Sequence, residues 1–232
     1  MRNQKCEMLN KLMFGSKMYK DRYDAAKQLL PELEKYKGKK DVMILAIPRG
    51  ALEMGAFLRD ELKLPLDIVV TKKIGAPGNE EYAIGSVGPD GSVQVNEDVV
   101  ASYGIPQSYI QDEAKRLQHV IKRRYEEYRA GDPTPPDLKD KVVIVVDDGI
   151  ATGFTTLAAV QYIRKQKPKK IILAVPVAAA DSHAKLKKEV DEMICPEVRS
   201  DFFAVGQFYE TFNQVSDEEA KKLLDFKKNV AQ

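Results

Sequence analysis

Short apolar runs alternate with stretches of helical periodicity along most of the chain. The apolar runs lie at residues 42–47, 66–70, 142–146 and 171–175. Between them, apolar residues recur every three or four positions, as at Gly55, Leu58 and Leu62. Strands that are apolar on both faces and alternate with helices are typical of a parallel sheet covered by helices. The pattern therefore predicts an α/β fold with three layers, in which helices flank a parallel sheet.

Three helices have further signals. The longest is predicted from about Gln107 to Arg129, and its apolar face repeats at helical spacing: Ile110, Ala114, Leu117, Ile121, Tyr125 and Tyr128. Another begins near residue 21, and Pro31 is expected to break or restart it. A third is predicted over 216–228, because Ser216 and Glu219 have the spacing of a capping box.

The segment from about 71 to 96 is rich in glycine and charge. Its first part, KKIGAPGNEEYAIG, has no helical or strand period and is expected to form a mobile loop. The next part, SVGPDGSVQV, predicts a hairpin, since Pro89-Asp90-Gly91 supplies turn residues between two β-prone runs. We expect one domain over 1–232, with a core at about 20–195, this loop, and a small hood at about 196–215.

The composition indicates one soluble globular domain but does not identify its function. The 232 residues, with 44% hydrophobic and 31% charged, are ordinary for one soluble globular domain. A net charge of +2 is too small to predict nucleic-acid binding by bulk attraction. The two cysteines, Cys6 and Cys195, indicate neither a disulfide framework nor a zinc site. The chain has no apolar run of the ~20 residues that span a bilayer, and no signal peptide is apparent, so the cytoplasm is the expected location.

Two aspartates stand side by side where the most apolar run ends, in VVIVVDDGIATGFTT at 142–156. In an open parallel sheet, ligands sit outside the carboxyl ends of the strands, where the next helices begin. Successive strand residues point to opposite sides, so Asp147 and Asp148 could each meet a different part of one polyhydroxyl ligand. Unpartnered, the two charges would repel each other and lose hydration, which costs roughly a few kcal/mol. The pair therefore predicts either a ligand site or a compensating charge.

The turn after the aspartates has the residues of a phosphate site. Gly149 and Gly153 would let backbone N–H groups approach an anion, and threonines at 152, 155 and 156 add hydroxyl donors before a helix N-terminus. For a lone DDG, the alternative is an ordinary strand-to-helix turn with Asp and Thr as caps. The long apolar approach and the DDxxxTGxT spacing favour a site for a phosphorylated ribose.

This stretch resembles the motif that binds 5-phosphoribosyl 1-diphosphate (PRPP) in type I phosphoribosyltransferases. Other family elements recur in order over roughly 20–215. AIPRGA at 46–51 resembles the pyrophosphate-binding loop, and KKIGAPGNEEYAIG resembles the flexible loop that closes over PRPP. With AVGQFY, these elements are most similar to an archaeal and bacterial subgroup without an assigned acceptor. The resemblance implies the type I phosphoribosyltransferase fold, with a small hood and a flexible loop.

The resemblance also implies roles for single residues. The two aspartates would hold the ribose hydroxyls, directly or with help from Mg²⁺ that enters with PRPP. Arg49 would act on the pyrophosphate, which Lys72 or Lys73 would reach when the loop closes, and the family's strained peptide would fall near Pro48-Arg49. The residues implied in binding PRPP are Pro48, Gly50, Asp147, Asp148, Gly149, Ile150, Ala151, Thr152, Gly153, Phe154 and Thr155.

The acceptor is the part that these motifs do not identify. In the hypoxanthine-guanine branch of the family, an aspartate before the TG pair accepts the purine proton, and this chain has Ala151 there. That difference argues against a 6-oxopurine mechanism of that type. The hood segment DFFAVGQFYETF offers Phe203, Phe208 and Tyr209 to stack on a base, although the same residues could simply pack the hood onto the core.

The resemblance implies an enzyme that transfers the 5-phosphoribosyl group of PRPP to a nitrogenous base and releases pyrophosphate. Two alternatives stay open, namely a non-catalytic protein that senses PRPP and a hydrolase of a phosphoribosyl compound. An intact pyrophosphate loop and a long charged loop favour the transferase, because a sensor needs neither a leaving-group clamp nor water exclusion. The expected partners are small molecules and a second copy in a homodimer, without a membrane or nucleic acid.

Overall fold

A five-stranded parallel sheet lies at the centre of the protein. This computed structural model describes residues 19–225, apart from the side chain of Glu81. Within these residues, the strands are β1 (Val42–Ala46), β2 (Leu66–Ile68), β3 (Lys72–Ala76), β4 (Asn79–Val87), β5 (Val93–Val95), β6 (Val142–Val146), β7 (Lys170–Ala174), β8 (Val177–Ala179), β9 (Glu192–Ile194) and β10 (Glu197–Arg199). The central sheet has the order β2-β1-β6-β7-β9.

Helices cover both faces of this sheet. They are α1 (Arg22–Leu33), α2 (Ala51–Leu62), α3 (Glu97–Ser102), α4 (Gln107–Tyr128), α5 (Phe154–Lys165), α6 (Ala180–Leu186) and α7 (Asp217–Leu224), with 3₁₀ turns at Glu34–Tyr36 and Val205–Phe208. Alternate residues of one strand serve different cores, since Ile44 packs with α1, α2, α4 and α7, whereas Leu45 packs with α5 and α6. The three-layer α/β prediction is confirmed.

Most of the predicted helices form close to their expected bounds. The predicted buried face of α4 is buried at all six positions. Helix α1 continues through Pro31 to Leu33, so this proline does not break it. Ser216 and Glu219 form the expected capping box, although the helix ends at Leu224 and residues 226–228 lie outside the described part of the chain.

The segment expected to be an irregular loop is instead a small antiparallel sheet. Strands β3, β4 and β5 pair in that order, and the predicted Pro89-Asp90-Gly91 hairpin joins the last two. These strands are not apparent from the sequence, because the register between β3 and β4 shifts around Gly75. The shift interrupts the two-residue alternation of side chains that identifies a strand. Ile74 and Ile84 are fully buried against the rest of the protein. That this segment moves to cover a ligand stays a prediction.

The first described residue joins the hood to the core. The backbone N–H of Tyr19 donates to the Phe208 carbonyl at 2.8 Å, and the Tyr19 carbonyl accepts from the Glu210 N–H at 2.8 Å. The Tyr19 side chain is fully buried, and its hydroxyl donates to the Pro176 carbonyl at 2.9 Å. The Pro176 carbonyl also accepts from the Glu197 N–H at 3.1 Å. These contacts attach residues 208–210 beside the sheet.

Tyr19→Phe tests this attachment. The change removes one buried hydrogen bond and leaves the second bond to Pro176, so we expect the free energy of unfolding to fall by about 1 kcal/mol. Chemical denaturation measures the loss, with Tyr103→Phe as the control, since Tyr103 is 68% exposed. Equal stability of the two variants would show that the Tyr19 hydroxyl does not stabilise the hood.

Candidate functional site

The candidate site lies where β1 and β6 end side by side. These two strands pair in parallel along their whole length, so the segments that follow them emerge at the same edge of the sheet. The segment after β1 leads through Pro48, Arg49 and Gly50 into α2, and the segment after β6 leads through the paired aspartates into α5. The carboxyl edge of a parallel sheet is where ligands bind in open α/β folds.

A buried arginine compensates one of the two aspartates. The Arg22 Nε atom donates to Asp148 Oδ2 at 2.7 Å, and its Nη1 atom donates to Glu53 at 3.0 Å and to the Asn213 carbonyl at 2.9 Å. The guanidinium also lies 4.0 Å from the centre of the Phe212 ring, in a cation–π contact. One of the two adjacent aspartates, Asp148, thus has the compensating charge that the sequence predicted as one alternative.

Sequence reasoning missed Arg22, although a signal was present. Arg22 is 6% exposed and lies on the same helical face as the buried residues Ala26, Leu29 and Leu33 of α1. A charged residue on the apolar face of an amphipathic helix needs a buried partner. That pattern could have identified Arg22 as part of the site, though not Asp148 as its partner.

Asp147 accepts hydrogen bonds from neutral donors, and no ion pair with it is recorded within residues 19–225. Its Oδ1 atom accepts from the Asp148 N–H at 2.9 Å, and its Oδ2 atom accepts from the Thr156 hydroxyl at 3.2 Å. Burial, reinforced by the charge of Asp148, raises the pKa of Asp147 well above its ordinary value. Burial also raises the pKa of Asp148, but there the Arg22 charge opposes the shift. The two carboxylates therefore differ in electrostatic environment.

Hydrogen bonds with β8 and Ser182 hold the turn from Gly149 to Thr155 in place, and backbone amides of the turn itself stay available. Ile150 pairs with β8, donating to the Val177 carbonyl at 2.9 Å and accepting from the Ala179 N–H at 2.8 Å. The Ser182 hydroxyl donates to the Ala151 carbonyl at 2.6 Å. Gly153 is the N-cap residue of α5 and has φ +75°, a backbone conformation that residues other than glycine rarely adopt.

The start of α5 can bind an anion. Within residues 19–225, no intramolecular acceptor is recorded for the N–H groups of Thr152, Gly153, Phe154 and Thr155. Free N–H groups and the positive end of the helix dipole make such a terminus a ready site for phosphate. The Thr152 side chain is exposed there, whereas Thr156 points inward beneath Asp147. The sequence predicted that all three threonines would offer hydroxyl donors to an anion, but the Thr156 hydroxyl donates to Asp147 instead.

The loop after β1 packs closely against the carboxylates. The peptide bond between Pro48 and Arg49 is cis. A Cβ atom added to Gly50 would overlap Asp148 Oδ2 and lie 2.8 Å from two nitrogens of Arg22. Only glycine fits at position 50 without displacing this ion pair.

A cavity of about 140 Å³ opens beside the same loop. It is lined by Ile47, Pro48, Arg49, Val70, Thr71, Lys72, Arg124 and Tyr128. Burial, together with the neighbouring charges of Arg124 and Arg49, lowers the pKa of Lys72. Of the two candidate lysines, Lys72 lines the cavity, while Lys73 is exposed. The cavity brings three cationic side chains together.

The three hood aromatics have different environments. Phe208 and Tyr209 are 2% and 5% exposed, so they pack in the core, in agreement with the packing alternative. The Tyr209 hydroxyl donates to the Asp148 carbonyl at 2.5 Å, which connects the hood to the site. Phe203 is 83% exposed. Of the three candidates, only Phe203 has a free ring face in this structure.

The loop that carries Phe203 is held by one side chain. The Gln207 side-chain carbonyl accepts from the N–H groups of Phe203 and Ala204 at 2.8 and 3.1 Å, and its amide donates to the Asp201 carbonyl at 2.9 Å. The hood also contacts the phosphate turn, because a Cβ atom added to Gly149 would lie 2.5 Å from Val205. The hood loop is therefore ordered while its Phe203 ring stays outside.

Two further properties of residues 19–225 bear on ligands. No group of three or more His, Cys, Asp or Glu side chains among them could hold a metal ion. None of the helices in the same range is long and apolar enough to cross a membrane. A metal ion held by the two aspartates would complete its coordination with oxygens of water or of a bound molecule.

The fold and the site define an α/β protein in which a strand-turn-helix segment with paired carboxylates lies at the carboxyl edge of a parallel sheet. The family model of the phosphoribosyl transferase domain matches residues 15–212. The chain is 34% identical to the protein TT1426 from Thermus thermophilus, with a TM-score of 0.74, over 89% of this chain and 97% of that structure. This chain belongs to the phosphoribosyltransferase family.

Curated relatives have the same kind of name. "Putative phosphoribosyl transferase Rv0571c" of Mycobacterium tuberculosis strain H37Rv is 38% identical over 210 residues, and its counterpart MT0597 in strain CDC 1551 matches equally. The match covers 90% of this chain and 47% of each relative, so the chain spans about half the length of the curated relatives it matches. Both relatives are named as transferases of a phosphoribosyl group.

The unequal environments of the two aspartates predict opposite effects of neutralising them. Asp147→Asn removes a buried charge without a cation of its own, and we expect it to raise the free energy of unfolding by roughly 1 kcal/mol at pH 7. Asp148→Asn leaves the buried Arg22 charge with fewer partners, and we expect a loss of about 1–3 kcal/mol. Urea denaturation of the two variants measures both changes.

The pH dependence has a definite sign. The pKa of Asp147 is raised in the folded state. The folded wild type therefore binds this proton at a higher pH than the unfolded chain, and its stability improves relative to Asp147→Asn as the pH falls. The advantage of the variant should be present at neutral pH and shrink under acid conditions. An advantage that grows as the pH falls would contradict a raised pKa.

Proposed function

We propose that the chain binds PRPP at the carboxyl edge of the sheet and transfers its 5-phosphoribosyl group to a nitrogenous base. The observation that carries this proposal is the adjacency of three complementary surfaces. Paired carboxylates suit a diol, free amides at the start of α5 suit a phosphate monoester, and the cationic cavity suits a diphosphate. PRPP carries these three groups on one ribose ring.

The amide turn and the carboxylates would hold the ribose phosphate. The 5′-phosphate would accept from the N–H groups of Thr152–Thr155, with the Thr152 and Thr155 hydroxyls as further donors. Asp147 and Asp148 would accept hydrogen bonds from the ribose 2′ and 3′ hydroxyls. Arg22 would favour the ionised form of Asp148, which accepts these bonds best. The carboxylates would also hold Mg²⁺ that arrives with PRPP, and this ion would supply positive charge to the pyrophosphate oxygens.

The cationic cavity would stabilise the leaving group. In the transfer, the bond between the anomeric carbon and the pyrophosphate oxygen breaks, and its electron pair goes to pyrophosphate. A ring nitrogen of the acceptor forms the new bond and gives up its proton to solvent. Arg49 and Lys72 would meet the charge that develops on pyrophosphate, an interaction that strengthens as the bond breaks. Closure of β3 and β4 over the site would exclude water.

The acceptor would lie between the phosphate turn and the hood. Phe203 offers the free aromatic face on which a flat heterocycle could stack. Ala151 provides no general base, so an acceptor whose nitrogen is already deprotonated or easily deprotonated fits this site better than a 6-oxopurine held by an aspartate. A PRPP sensor and a hydrolase remain alternatives that the same site could serve.

Pyrophosphate release tests the proposal. The protein is incubated with PRPP and Mg²⁺ against a panel of purine, pyrimidine and other nitrogenous bases, and pyrophosphate is followed with a coupled assay. We expect release that depends on one class of acceptor. Release without any acceptor would indicate a hydrolase. PRPP binding without release would indicate a sensor, and either result would reject the transferase.

Lys72 and Lys73 form a matched pair for the leaving-group role. Lys72→Met should lower kcat/KM for PRPP by about 10–100-fold, because a charge-assisted contact to the departing diphosphate is worth roughly 1.5–3 kcal/mol. Lys73→Met removes the same charge from an exposed neighbour and should leave the rate within about twofold. Equal losses in both variants would mean that the overall positive charge of this segment assists the reaction, and that the position of Lys72 in the cavity does not.

A further inference from the structure

The cationic cavity includes residues that the phosphoribosyltransferase motifs do not contain. Arg124 and Tyr128 come from α4, and both line the cavity opposite the Pro48-Arg49 loop. Asp217, the first residue of α7, closes the cluster from the C-terminal side. Its Oδ1 atom accepts from Arg124 Nη1 at 2.8 Å and from the Tyr128 hydroxyl at 2.6 Å, and lies 3.5 Å from Arg49 Nη1.

The contacts of Asp217 described above all involve one carboxylate oxygen, Oδ1. Three donors or cations meet Oδ1, and each of them belongs to a residue that lines the cavity. The Asp217 side chain is 34% exposed. Within the described part of the chain, the recorded hydrogen bonds of Arg124 use Nη1, which also approaches Glu127 at 3.4 Å. Arg124 lines the cavity together with Lys72.

We propose that Arg124 is a diphosphate-binding residue and that Asp217 is an internal carboxylate that competes with the diphosphate for Arg49 and Arg124. A carboxylate and a phosphate accept the same guanidinium donors, so a diphosphate entering the cavity would take over contacts that Asp217 now holds. This inference rests on the proposed function, because it assigns the diphosphate of PRPP to the cavity. It adds a link between that subsite and the C-terminal helix.

The charge on Asp217 can be separated from its positioning contacts. Asp217→Asn keeps an oxygen that accepts from Arg124 and Tyr128 and removes only the negative charge. If the carboxylate opposes the diphosphate, binding should tighten. If Asp217 instead serves to orient Arg124 for the ligand, Asp217→Asn should leave binding unchanged or weaken it. The variant thus distinguishes a competing charge from a positioning contact.

Binding of inorganic pyrophosphate with Mg²⁺, measured by calorimetry, gives the test. We expect Asp217→Asn to bind pyrophosphate about threefold or more tightly than the wild type, because a like charge has left the site. Asp41→Asn is the matched control, since it removes the same charge at the opposite end of β1, where Asp41 pairs with Lys169 at 3.0 Å. Asp41→Asn should change the affinity by less than about twofold.

Arg124 and Arg123 supply a second matched pair. Arg124→Gln should weaken pyrophosphate binding about tenfold or more, since a charge-assisted contact is lost. Arg123→Gln removes a neighbouring arginine whose side chain is 69% exposed, and should have an effect below about twofold. Ribose 5-phosphate lacks the diphosphate, so its affinity should be the same in all four variants. Thermal melting confirms that each variant is folded.

The outcomes separate this inference from the proposed function. Unchanged or weaker pyrophosphate binding in folded Asp217→Asn overturns the competition, and equal effects of Arg124→Gln and Arg123→Gln overturn the assignment of Arg124. A wild type that binds ribose 5-phosphate but no pyrophosphate also overturns it. If the expected pattern is seen but no acceptor releases pyrophosphate from PRPP, the diphosphate subsite stands and the transferase proposal fails.

Discussion

The ion pair between Arg22 and Asp148 is the interaction on which the site depends. A buried guanidinium joins the turn after β6, the start of α2 through Glu53, and the last part of the hood through the Asn213 carbonyl. Without Arg22, Asp148 would lose its cation, and without Asp148, Arg22 would keep only Glu53 as an ionic partner, so either loss weakens the compensation of a buried charge. The geometry of the carboxylates is thus tied to helix α1, which contributes no other residue to the site described above.

Charge is divided across the carboxyl edge of the sheet. The acidic half carries Asp147 and Asp148, and the basic half carries Arg49, Lys72 and Arg124. A ligand that presents hydroxyl donors at one end and a polyanion at the other matches this division in only one orientation. Electrostatics at this edge therefore favours one binding direction as well as one class of ligand.

Features whose residues are neighbours in the chain could be predicted from the sequence, whereas contacts between residues far apart in the chain could not. Strand β6 and the turn before α5 were predictable, because their apolar run, aspartates and glycines are neighbours in the chain. The pairing of Arg22 with Asp148 and that of Asp217 with Arg124 were not, since the partners lie 126 and 93 residues apart. The pairing of β3 with β4 was missed for a different reason: the register shift at Gly75 breaks the period of two that identifies a strand. Phe208 and Phe203 look alike in sequence, and only packing distinguishes a core ring from an exposed one.

Gly50 has a consequence for how this protein can vary. The absent side chain at position 50 is the space into which Arg22 and Asp148 fit. Substitutions at these three positions cannot contribute independently, because residues in direct contact show interaction energies of about 0.5–3 kcal/mol beyond the sum of single effects. A larger residue at 50 would be tolerated only in a background where the ion pair has already been replaced. The three positions thus form one epistatic unit, in which the order of substitutions determines which sequences can be reached.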